Sequence, residues 1–244
     1  MAQLFDSIVT APPRPGAYAT LMADPPWLER GGGQIKRGAD RHYPLMSTDE
    51  ICALPVSSWM APDAHGYIWV TNNFLPDGLR VMAAWGFRFV TKIDWFKGEI
   101  PDVDVVAAIE QLRTLGQEAQ SPGAANLAER IWDVADLLHR SRLSVDPMSD
   151  NDLQTGLGQY YRGATESCLF GVRGRVPYRF TAGGKRAQGR TGFHAPRGQH
   201  SAKPETMRAM VERVSPGPYL EMFARRPAPN WDLWGNQAPM AEAR

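Results

Sequence analysis

The sequence predicts an α/β fold in which helices cover both faces of a β-sheet. Two observations support this prediction. Short apolar runs bounded by turn residues alternate along the chain with patterns of helical period. The chain has 244 residues, 43% of them hydrophobic, which is enough to bury one sizeable core. In a sheet of this kind, ligands bind at the carboxyl ends of the strands.

The predicted elements follow in chain order. Five segments are predicted to be buried strands: 17–23, 66–71, 87–96, 166–172 and 219–224. A helix is predicted before Gly86, with Leu79, Met82 and Ala83 on one face. A second helix is predicted from about Lys203 to Val214, because residues with one face in common recur there at helical spacing: Thr206, Met207, Met210, Val211 and Val214.

A segment of different character, at about 100–152, is predicted to be a helical hairpin inserted into the domain. Between Asp102 and Asp152 there are ten acidic residues against four arginines, so this segment is a poor candidate for binding nucleic acid. Its apolar residues recur at helical spacing on both sides of Ser121-Pro122-Gly123. The hairpin either packs on the sheet or forms the surface of a homodimer or of a complex with another partner. The whole chain, 1–244, is otherwise predicted to be one domain.

Composition is typical of a cytoplasmic protein. The first fifteen residues have neither a basic region nor an apolar run, and no later run is long enough to cross a bilayer, so we expect neither secretion nor membrane insertion. Two cysteines far apart, Cys52 and Cys168, predict reduced thiols. The five histidines have no partners at zinc-site spacing, so no metal site is predicted.

The strongest chemical signal is Asp24-Pro25-Pro26-Trp27, which follows the apolar run 21–23. A carboxylate and a backbone carbonyl can each accept an N–H hydrogen bond from an exocyclic amine and direct its lone pair toward a methyl donor. The prolines fix the loop in advance, and the tryptophan offers a face on which a nucleobase can stack. In the alternative interpretation, the aspartate caps a turn, the prolines break the strand and the tryptophan belongs to the core.

A basic stretch between Ser167 and Pro204 contains no Asp or Glu, although the whole chain has a net charge of only +1. Its basic residues are Arg173, Arg175, Arg179, Lys185, Arg186, Arg190, Arg197 and Lys203. Aromatic residues, including Tyr178 and Phe180, are interleaved with them, as expected where bases stack and phosphates are neutralised. A solvated loop is the competing interpretation. The segment 31–37, which ends in Lys36 and Arg37, is a second basic loop that could fold over a flipped base.

Several further segments, in order along the chain, match one family. They are Tyr43, Met46–Ile51, Tyr67–Thr71, Trp85–Phe87, Tyr160–Arg162, Glu166–Gly174, Lys203-Pro204, Leu220–Arg225, Asn230-Trp231 and Gly235–Gln237. With the Asp-Pro-Pro-Trp motif, the chain resembles the DPPW family of adenine-N6 methyltransferases, best known for the catalytic subunit of the eukaryotic messenger-RNA m6A writer. The matches span most of 17–237 apart from one insertion.

The resemblance implies a Rossmann-like fold with a mixed, mostly parallel sheet, in which the catalytic motif precedes the cofactor-binding motifs. It implies S-adenosylmethionine as the cofactor. The implied catalytic residues are Asp24, Pro25, Pro26, Trp27 and Tyr43. The implied cofactor-binding residues are Asp24, Lys203, Glu221, Arg225, Asn236 and Gln237. The expected nucleic-acid contacts are Lys36, Arg37, Arg162, Glu166, Lys185, Arg186, Arg190 and Arg197.

Within the implied cofactor pocket, Lys203 would pair with the methionyl carboxylate, and Asn236-Gln237 would bond ribose or adenine. The loop after Arg225 is shorter than in some relatives and lacks their His-Asn pair, which puts ribose contacts from that loop in doubt. No glycine-rich fingerprint follows the first strand, which disfavours an NAD-dependent dehydrogenase.

The expected function is S-adenosylmethionine-dependent methylation of the N6 amine of adenine in nucleic acid. DNA is favoured over RNA because a compact chain without an appended RNA module resembles the stand-alone bacterial and phage members of the family. The expected localisation is then the cytoplasm, with an activity associated with the nucleoid. Two alternatives are an RNA adenosine-N6 methyltransferase and a catalytically inactive nucleic-acid-binding subunit. The intact Asp-Pro-Pro-Trp motif disfavours the inactive subunit, since such partners carry a degraded motif.

Overall fold

A computed structural model describes residues 13–28, 45–98, 160, 163–175, 178–198, 202–224 and 226–235. Seven strands form one sheet: β1 (Tyr18–Ala23), β2 (Met60–Val70), β3 (Arg88–Lys97), β4 (Thr165–Arg173), β5 (Gly192–Ala195), β6 (Tyr219–Met222) and β7 (Trp231–Trp234). The strand order is β5-β3-β4-β2-β1-β6-β7. The prediction of an α/β fold with a mixed sheet is confirmed.

The sheet is parallel on one side and antiparallel in the middle. β1 pairs in parallel with β2 and β6, and β6 pairs in parallel with β7. β4 runs antiparallel to both of its neighbours, β2 and β3. Val70 at the carboxyl end of β2 therefore lies opposite Ser167 near the amino end of β4. We call this end of the sheet, where β1, β2, β6 and β7 finish and β4 starts, the Asp24 end.

Four α-helices and one 3₁₀ turn accompany the strands in the described ranges: α1 (Thr48–Cys52), α2 (Val56–Trp59), the 3₁₀ turn (Asn72–Phe74), α3 (Leu75–Ala84) and α4 (Glu205–Val214). α1 begins at a capping box, in which the Ser47 side chain accepts from the Glu50 N–H and the Glu50 carboxylate accepts from the Ser47 N–H.

α3 packs closely on one face of the sheet through Gly78. A Cβ at Gly78 would lie 2.4 Å from Cγ1 of Val70 and 2.9 Å from Cδ1 of Leu169, so only glycine fits without displacing its neighbours. The buried face of α3 also includes Val81 and Met82. Of the three residues predicted to share the packing face, only Met82 is buried; Leu79 is 39% exposed and Ala83 is also exposed, so the prediction is wrong for these two.

α4 begins two residues later than predicted and lies near the other face, where Tyr67 and Trp69 of β2 point. Its side chains Met207 and Val211 are almost fully buried. Met207 lines a cavity together with Met22 and Trp69. The predicted helical period of this segment is therefore confirmed, with Thr206 as an exposed exception.

Two strands depart from the prediction and two were not predicted. β2 starts at Met60 rather than near residue 66, and β6 ends at Met222 rather than at 224. β5 and β7, each of four residues, were missed. No helix in the described ranges is long and apolar enough to span a bilayer. The predicted acidic hairpin and its homodimer surface, at about 100–152, lie outside the described residues.

The chain divides into two compact units. The first comprises Met1–Phe96, Thr165–Phe193 and Arg197–Arg244, and it contains every residue of the site described below. The second comprises Lys97–Ala164 and His194–Pro196. Within the second unit, the Gly98 N–H donates to the Ala195 carbonyl at 3.0 Å, and the Lys97 N–H donates to the Ala164 carbonyl at 2.9 Å.

Candidate active site

Asp24 and Glu166 meet at the Asp24 end of the sheet, although 142 positions separate them in the sequence. Asp24 directly follows β1, whereas Glu166 lies near the start of β4. Because β4 is antiparallel to β2, its amino end lies beside the carboxyl ends of the parallel strands. The antiparallel direction of β4 thus brings the Glu166 carboxylate to the same end of the sheet as Asp24.

Lys203, just before α4, joins these two carboxylates. Its Nζ lies 2.9 Å from Oδ2 of Asp24 and 3.2 Å from Oε2 of Glu166. The three side chains are between 17% and 27% exposed, so they are partly shielded from water. Nζ also lies 5.5 Å from the centre of the Trp69 ring, within range of a cation–π contact. We call Asp24, Glu166 and Lys203 the carboxylate–lysine cluster.

Lys203 is held in its protonated form by its two carboxylate neighbours. Burial alone would lower the pKa of its ammonium, but the negative charges of Asp24 and Glu166, and the hydrogen bonds to both, outweigh burial and raise the pKa above its usual value. With Lys203 protonated and both carboxylates ionised, the cluster carries a net charge of −1. The cavity beside the cluster is lined by three acidic residues (Asp24, Glu205 and Glu221) and three basic residues (Lys203, Arg208 and Arg226), so it offers partners to both cations and anions.

The backbone of the Asp-Pro-Pro-Trp loop is fixed by its own carbonyls. The Trp27 N–H donates to the Pro25 carbonyl at 2.9 Å, and the Met46 N–H donates to the Pro26 carbonyl at 2.8 Å. The Leu28 N–H in turn donates to the Met46 carbonyl at 2.9 Å. The sequence interpretation left the Pro25 carbonyl open for a substrate amine. The structure shows that one of its two lone pairs is already used.

Trp27 occupies the core instead of presenting an open face to a base. It is 7% exposed and stacks on Phe74, with ring centres 5.3 Å apart and planes inclined by 21°. Its Nε1–H donates to the Trp69 carbonyl at 3.1 Å. Stacking of a nucleobase on Trp27 is therefore not supported by this structure, and the alternative interpretation of a core tryptophan is correct for the ring. Trp27 holds the loop against β2.

Glu221 lies on β6 and is paired with Arg208, a residue that sequence reasoning missed. The Arg208 Nε donates to Oε2 of Glu221 at 2.7 Å, and another guanidinium nitrogen contacts Glu205 at 2.6 Å. Burial raises the pKa of the Glu221 carboxyl, although the hydrogen bond and charge of Arg208 oppose that change. Arg208 follows Glu205 by three positions on α4, a spacing from which the contact between these two residues could have been predicted.

A cavity of about 230 Å³ adjoins the carboxylate–lysine cluster at Asp24 and Lys203. Its described lining is Met22, Asp24, Trp69, Ala202, Lys203, Pro204, Glu205, Met207, Arg208, Glu221, Phe223, Ala224 and Arg226. The lining combines aromatic and thioether side chains with six charged residues: Asp24, Glu205, Glu221, Lys203, Arg208 and Arg226. The indole Nε1–H of Trp69 is buried and has no hydrogen-bond acceptor among the described residues.

These residues fit the methionyl part of S-adenosylmethionine. The carboxylates of Asp24 and Glu221 and the ring of Trp69 suit a sulfonium and an ammonium group. Lys203 can pair with the carboxylate of the donor by sharing or exchanging one of its present partners, and Arg208 and Arg226 are two further cations in the lining. At about 230 Å³ the described cavity is smaller than the ~300–1,000 Å³ typical of small-molecule sites, so it accounts for part of such a ligand.

The remaining predicted site residues fall into two groups. Lys185, Arg186, Arg190 and Arg197 are described and exposed, and they do not line the cavity beside Asp24. Arg186 and Arg190 line a different cavity. The others lie outside the described residues: Lys36, Arg37, Tyr43, Arg162, Arg225, Asn236 and Gln237. Their predicted roles stay predictions.

Comparison with known proteins connects this geometry to one family. The MT-A70 family model matches residues 18–111 and 141–237. The chain is 26% identical over 234 residues to the human N(6)-adenosine-methyltransferase catalytic subunit METTL3, covering 91% of this chain and 28% of METTL3. It is 22% identical over 240 residues to the type II methyltransferase M.MunI of a Mycoplasma species, covering 91% of this chain and 78% of M.MunI.

A third relative is the human N(6)-adenine-specific methyltransferase METTL4, 22% identical over 227 residues, of which the chain covers 37%. The chain thus spans little more than a quarter of METTL3 but most of M.MunI. The family match includes both the Asp-Pro-Pro-Trp loop and the segment from β4 to β7, which together build the carboxylate–lysine cluster. This chain therefore belongs to the MT-A70 family of adenine N6-methyltransferases.

Proposed function

We propose that this chain transfers the methyl group of S-adenosylmethionine to the exocyclic N6 amine of adenine in a nucleic acid, with DNA as the favoured substrate. The observation that carries the proposal is the carboxylate of Asp24. It follows β1 at the Asp24 end of the sheet, is 27% exposed, lines the cavity and is held by Lys203 at 2.9 Å. Family membership supports the reaction class.

Asp24 acts as the acceptor for one N–H of the target amine. The adenine amine is a poor nucleophile because its lone pair is delocalised into the ring. A hydrogen bond to the carboxylate, with a second to the remaining lone pair of the Pro25 carbonyl, draws the nitrogen toward a geometry in which that lone pair points at the methyl carbon. The proton released from the amine after transfer passes to Asp24 or to solvent.

Lys203 and Glu166 hold Asp24 in place. Lys203 contacts one oxygen of Asp24, Oδ2, and Glu166 fixes Lys203 from the other side. The backbone N–H of Asp24 donates to the Met222 carbonyl at 3.4 Å, which ties the residue to β6. The carboxylate is therefore oriented before any substrate arrives, so little reorganisation is needed in the reaction.

When bound, the donor would supply a methyl group bonded to a positively charged sulfonium sulfur, and this sulfur would leave as a neutral thioether when the N–C bond forms. The chain's own contribution is to bind and orient the donor. Lys203, Glu221 and Trp69 belong to the described wall, and Arg225, Asn236 and Gln237 are proposed to hold the ribose and adenine. Methyl transfer is then a direct in-line displacement that requires no covalent enzyme intermediate.

The preference for DNA is supported by one relative, the type II methyltransferase M.MunI, which suggests the site-specific DNA class. An RNA adenosine-N6 methyltransferase is the alternative, since METTL3 is named for adenosine methylation. The inactive-subunit hypothesis loses support because Asp24 lies beside a cavity with a charged lining.

The test is transfer of a tritiated methyl group to matched DNA and RNA oligonucleotides, single- and double-stranded, followed by nucleoside analysis. We expect N6-methyladenine in DNA from the wild type and none from Asp24→Ala. Calorimetry should show that Asp24→Ala still binds S-adenosylmethionine. Asp49→Ala is the matched control, because Asp49 is an exposed carboxylate paired with Arg80 on α3. Full activity of Asp24→Ala would contradict the assigned role, and exclusive methylation of RNA would contradict the preference for DNA.

A further inference from the structure

A second cavity, of about 690 Å³, lies in the first compact unit on the face of the sheet that carries Tyr67 and Phe170. Its floor is apolar, with Phe170 and Val172 contributed by β4. Met210 and Val214 of α4 line one side. The volume lies within the ~300–1,000 Å³ range of sites that enclose a ligand rather than a single water molecule.

The rim of this cavity is strongly basic. Its described lining includes four arginines, Arg88, Arg175, Arg186 and Arg190, and no Asp or Glu. Within the described part of the chain, none of these four guanidinium groups forms an ion pair. An apolar floor below an arginine rim without carboxylates complements a ligand with flat apolar rings and several negative charges.

An aromatic platform stands at the same rim. The ring of Tyr178 is 62% exposed, and the guanidinium carbon of Arg186 lies 3.9 Å from its centre. The loop that carries both residues is ordered by backbone bonds, since the Thr181 N–H donates to the Lys185 carbonyl at 2.8 Å. Arg179 anchors the loop to the end of α4 by donating to the Ser215 carbonyl at 3.2 Å. An exposed tyrosine paired with arginine is a typical stacking site for a nucleobase.

The second cavity and the cavity beside Asp24 are neighbours. Met207 of α4 lines both. On β2, Trp69 lines the first and Tyr67 lines the second, and residues two apart on a strand are separated by about 7 Å. The second cavity extends from Tyr67 toward His65 and Val172, away from the Asp24 end, so Tyr67 marks its near edge. A nucleic-acid strand that passes this edge would continue toward the Asp24 end of the sheet.

We propose that this arginine-rimmed cavity binds unpaired nucleotides of the substrate strand next to the target adenine. Bases stack on Tyr178 and on the apolar floor, and phosphates lie on Arg186 and Arg190. Paired bases inside a duplex are stacked on one another and cannot enter, so the substrate class is a single strand or a locally opened duplex. The identity of the target base rests on the proposed function, whereas binding of the strand does not.

The test is equilibrium binding by fluorescence anisotropy, with a labelled single-stranded DNA of about 12 nucleotides, a length within the site sizes of single-strand binders. Arg186→Gln should weaken binding several-fold and reduce the slope of log affinity against log salt by about 0.7, the value for one phosphate contact on a single strand. Arg80→Gln is the matched control, since Arg80 lies on α3 at the other face of the sheet and should leave the slope unchanged.

Stacking is tested separately at Tyr178. Tyr178→Ala should weaken binding about tenfold, whereas Tyr178→Phe should bind as the wild type does. On an abasic oligonucleotide of the same length, the loss caused by Tyr178→Ala should disappear. Because Tyr178 is exposed, neither substitution removes a core side chain. A loss that persists on the abasic strand, or an Arg186→Gln variant indistinguishable from Arg80→Gln, would overturn the proposal, as would equal losses on fully paired duplex.

The methyl-transfer assay separates this proposal from the proposed function. If the wild type methylates adenine while the Arg186 and Tyr178 variants bind the single strand normally, the cavity proposal fails and the function stands. If the wild type binds the single strand through these residues but transfers no methyl group to any oligonucleotide, the function fails and the cavity proposal stands.

Discussion

Replacing Lys203 with methionine should convert the carboxylate–lysine cluster from a stabilising group of charges into a repulsive one. Methionine keeps most of the aliphatic volume of lysine and removes the ammonium. Asp24 and Glu166 would then face each other without the cation that now lies 2.9 Å and 3.2 Å from their oxygens. Removing one partner from a partly buried ion pair is costly because the remaining charges lose their compensation.

The size of the effect follows from these distances. The two contacted oxygens can be no more than about 6 Å apart, since both touch Nζ. Two unit charges at that distance repel by about 3 kcal/mol at an effective dielectric constant of about 20. In the wild type, the attraction of Lys203 offsets this repulsion together with the desolvation of the cluster, so removing the ammonium leaves the repulsion uncompensated. For a chain of this length, that change corresponds to a fall in Tm of roughly 6–12 °C.

The pH dependence identifies the cause. The pKa of Lys203 is raised above its usual 10.5, so in the wild type its contribution to stability is fully present below that value and is lost only as the pH rises through the higher folded value. In Lys203→Met, the repulsion needs both carboxylates ionised. The deficit should therefore be full at about pH 8 and shrink as the pH falls toward the ordinary carboxyl range near about 4.

Urea denaturation of the wild type and Lys203→Met at several pH values measures this deficit. The double variant Lys203→Met/Glu166→Gln should recover most of the lost stability, because only one charge then remains. Lys185→Met, which removes an exposed lysine, should change the free energy of unfolding by no more than about 0.5 kcal/mol. A deficit that stays equal across the pH range, or that persists in the double variant, would refute the electrostatic reasoning and indicate lost packing instead.

Two further predictions concern Trp27, which holds the Asp-Pro-Pro-Trp loop, and the buried His65 on β2. Trp27→Phe keeps an aromatic ring on Phe74 but removes the 3.1 Å hydrogen bond to the Trp69 carbonyl. The free energy of unfolding measured in urea should therefore fall by about 1–2 kcal/mol, and no change would show that the hydrogen bond contributes nothing. Burial lowers the pKa of His65 from its usual 6.5 to about 4, because the buried ring favours the neutral form. The contribution of the neutral ring to stability is therefore present above pH 6.5 and is lost as the pH falls through about 4. His65→Gln should therefore lose less stability than the wild type between neutral pH and pH 4, and identical pH profiles would contradict this expectation.

Much of the fold follows from local sequence patterns. The apolar runs that form β1, β3 and β4 are bounded in the sequence within one residue of their limits in the structure. β2 was predicted too short because Pro62 and Asp63 are typical of a loop. Here the Asp63 carboxylate accepts from the backbone N–H of Arg175, a contact over 112 positions that no local pattern contains. β5 and β7 have four residues each, too few for alternation to be detected.

The candidate site was predicted in parts but not as an arrangement. Asp24 and Lys203 were recognised from the motifs around them, and Glu166 was expected to contact substrate. Their contact depends on the antiparallel direction of β4 and on the entry of the chain into α4, neither of which local patterns fix. The burial of the Trp27 ring could not be predicted for a related reason, because an aromatic side chain suits both a stacking surface and a core. Its neighbour Phe74 decides between them.

The side chain of Met207 is a wall common to both cavities, and this has a thermodynamic consequence. An occupant that shifts the helix carrying Met207 changes the shape available to a second occupant on the other side. By linkage, whatever factor the first ligand applies to the affinity of the second, the second must apply to the first. S-adenosylmethionine and the nucleic-acid strand would then strengthen or weaken each other's binding, and the factor would be the same whichever of the two binds first.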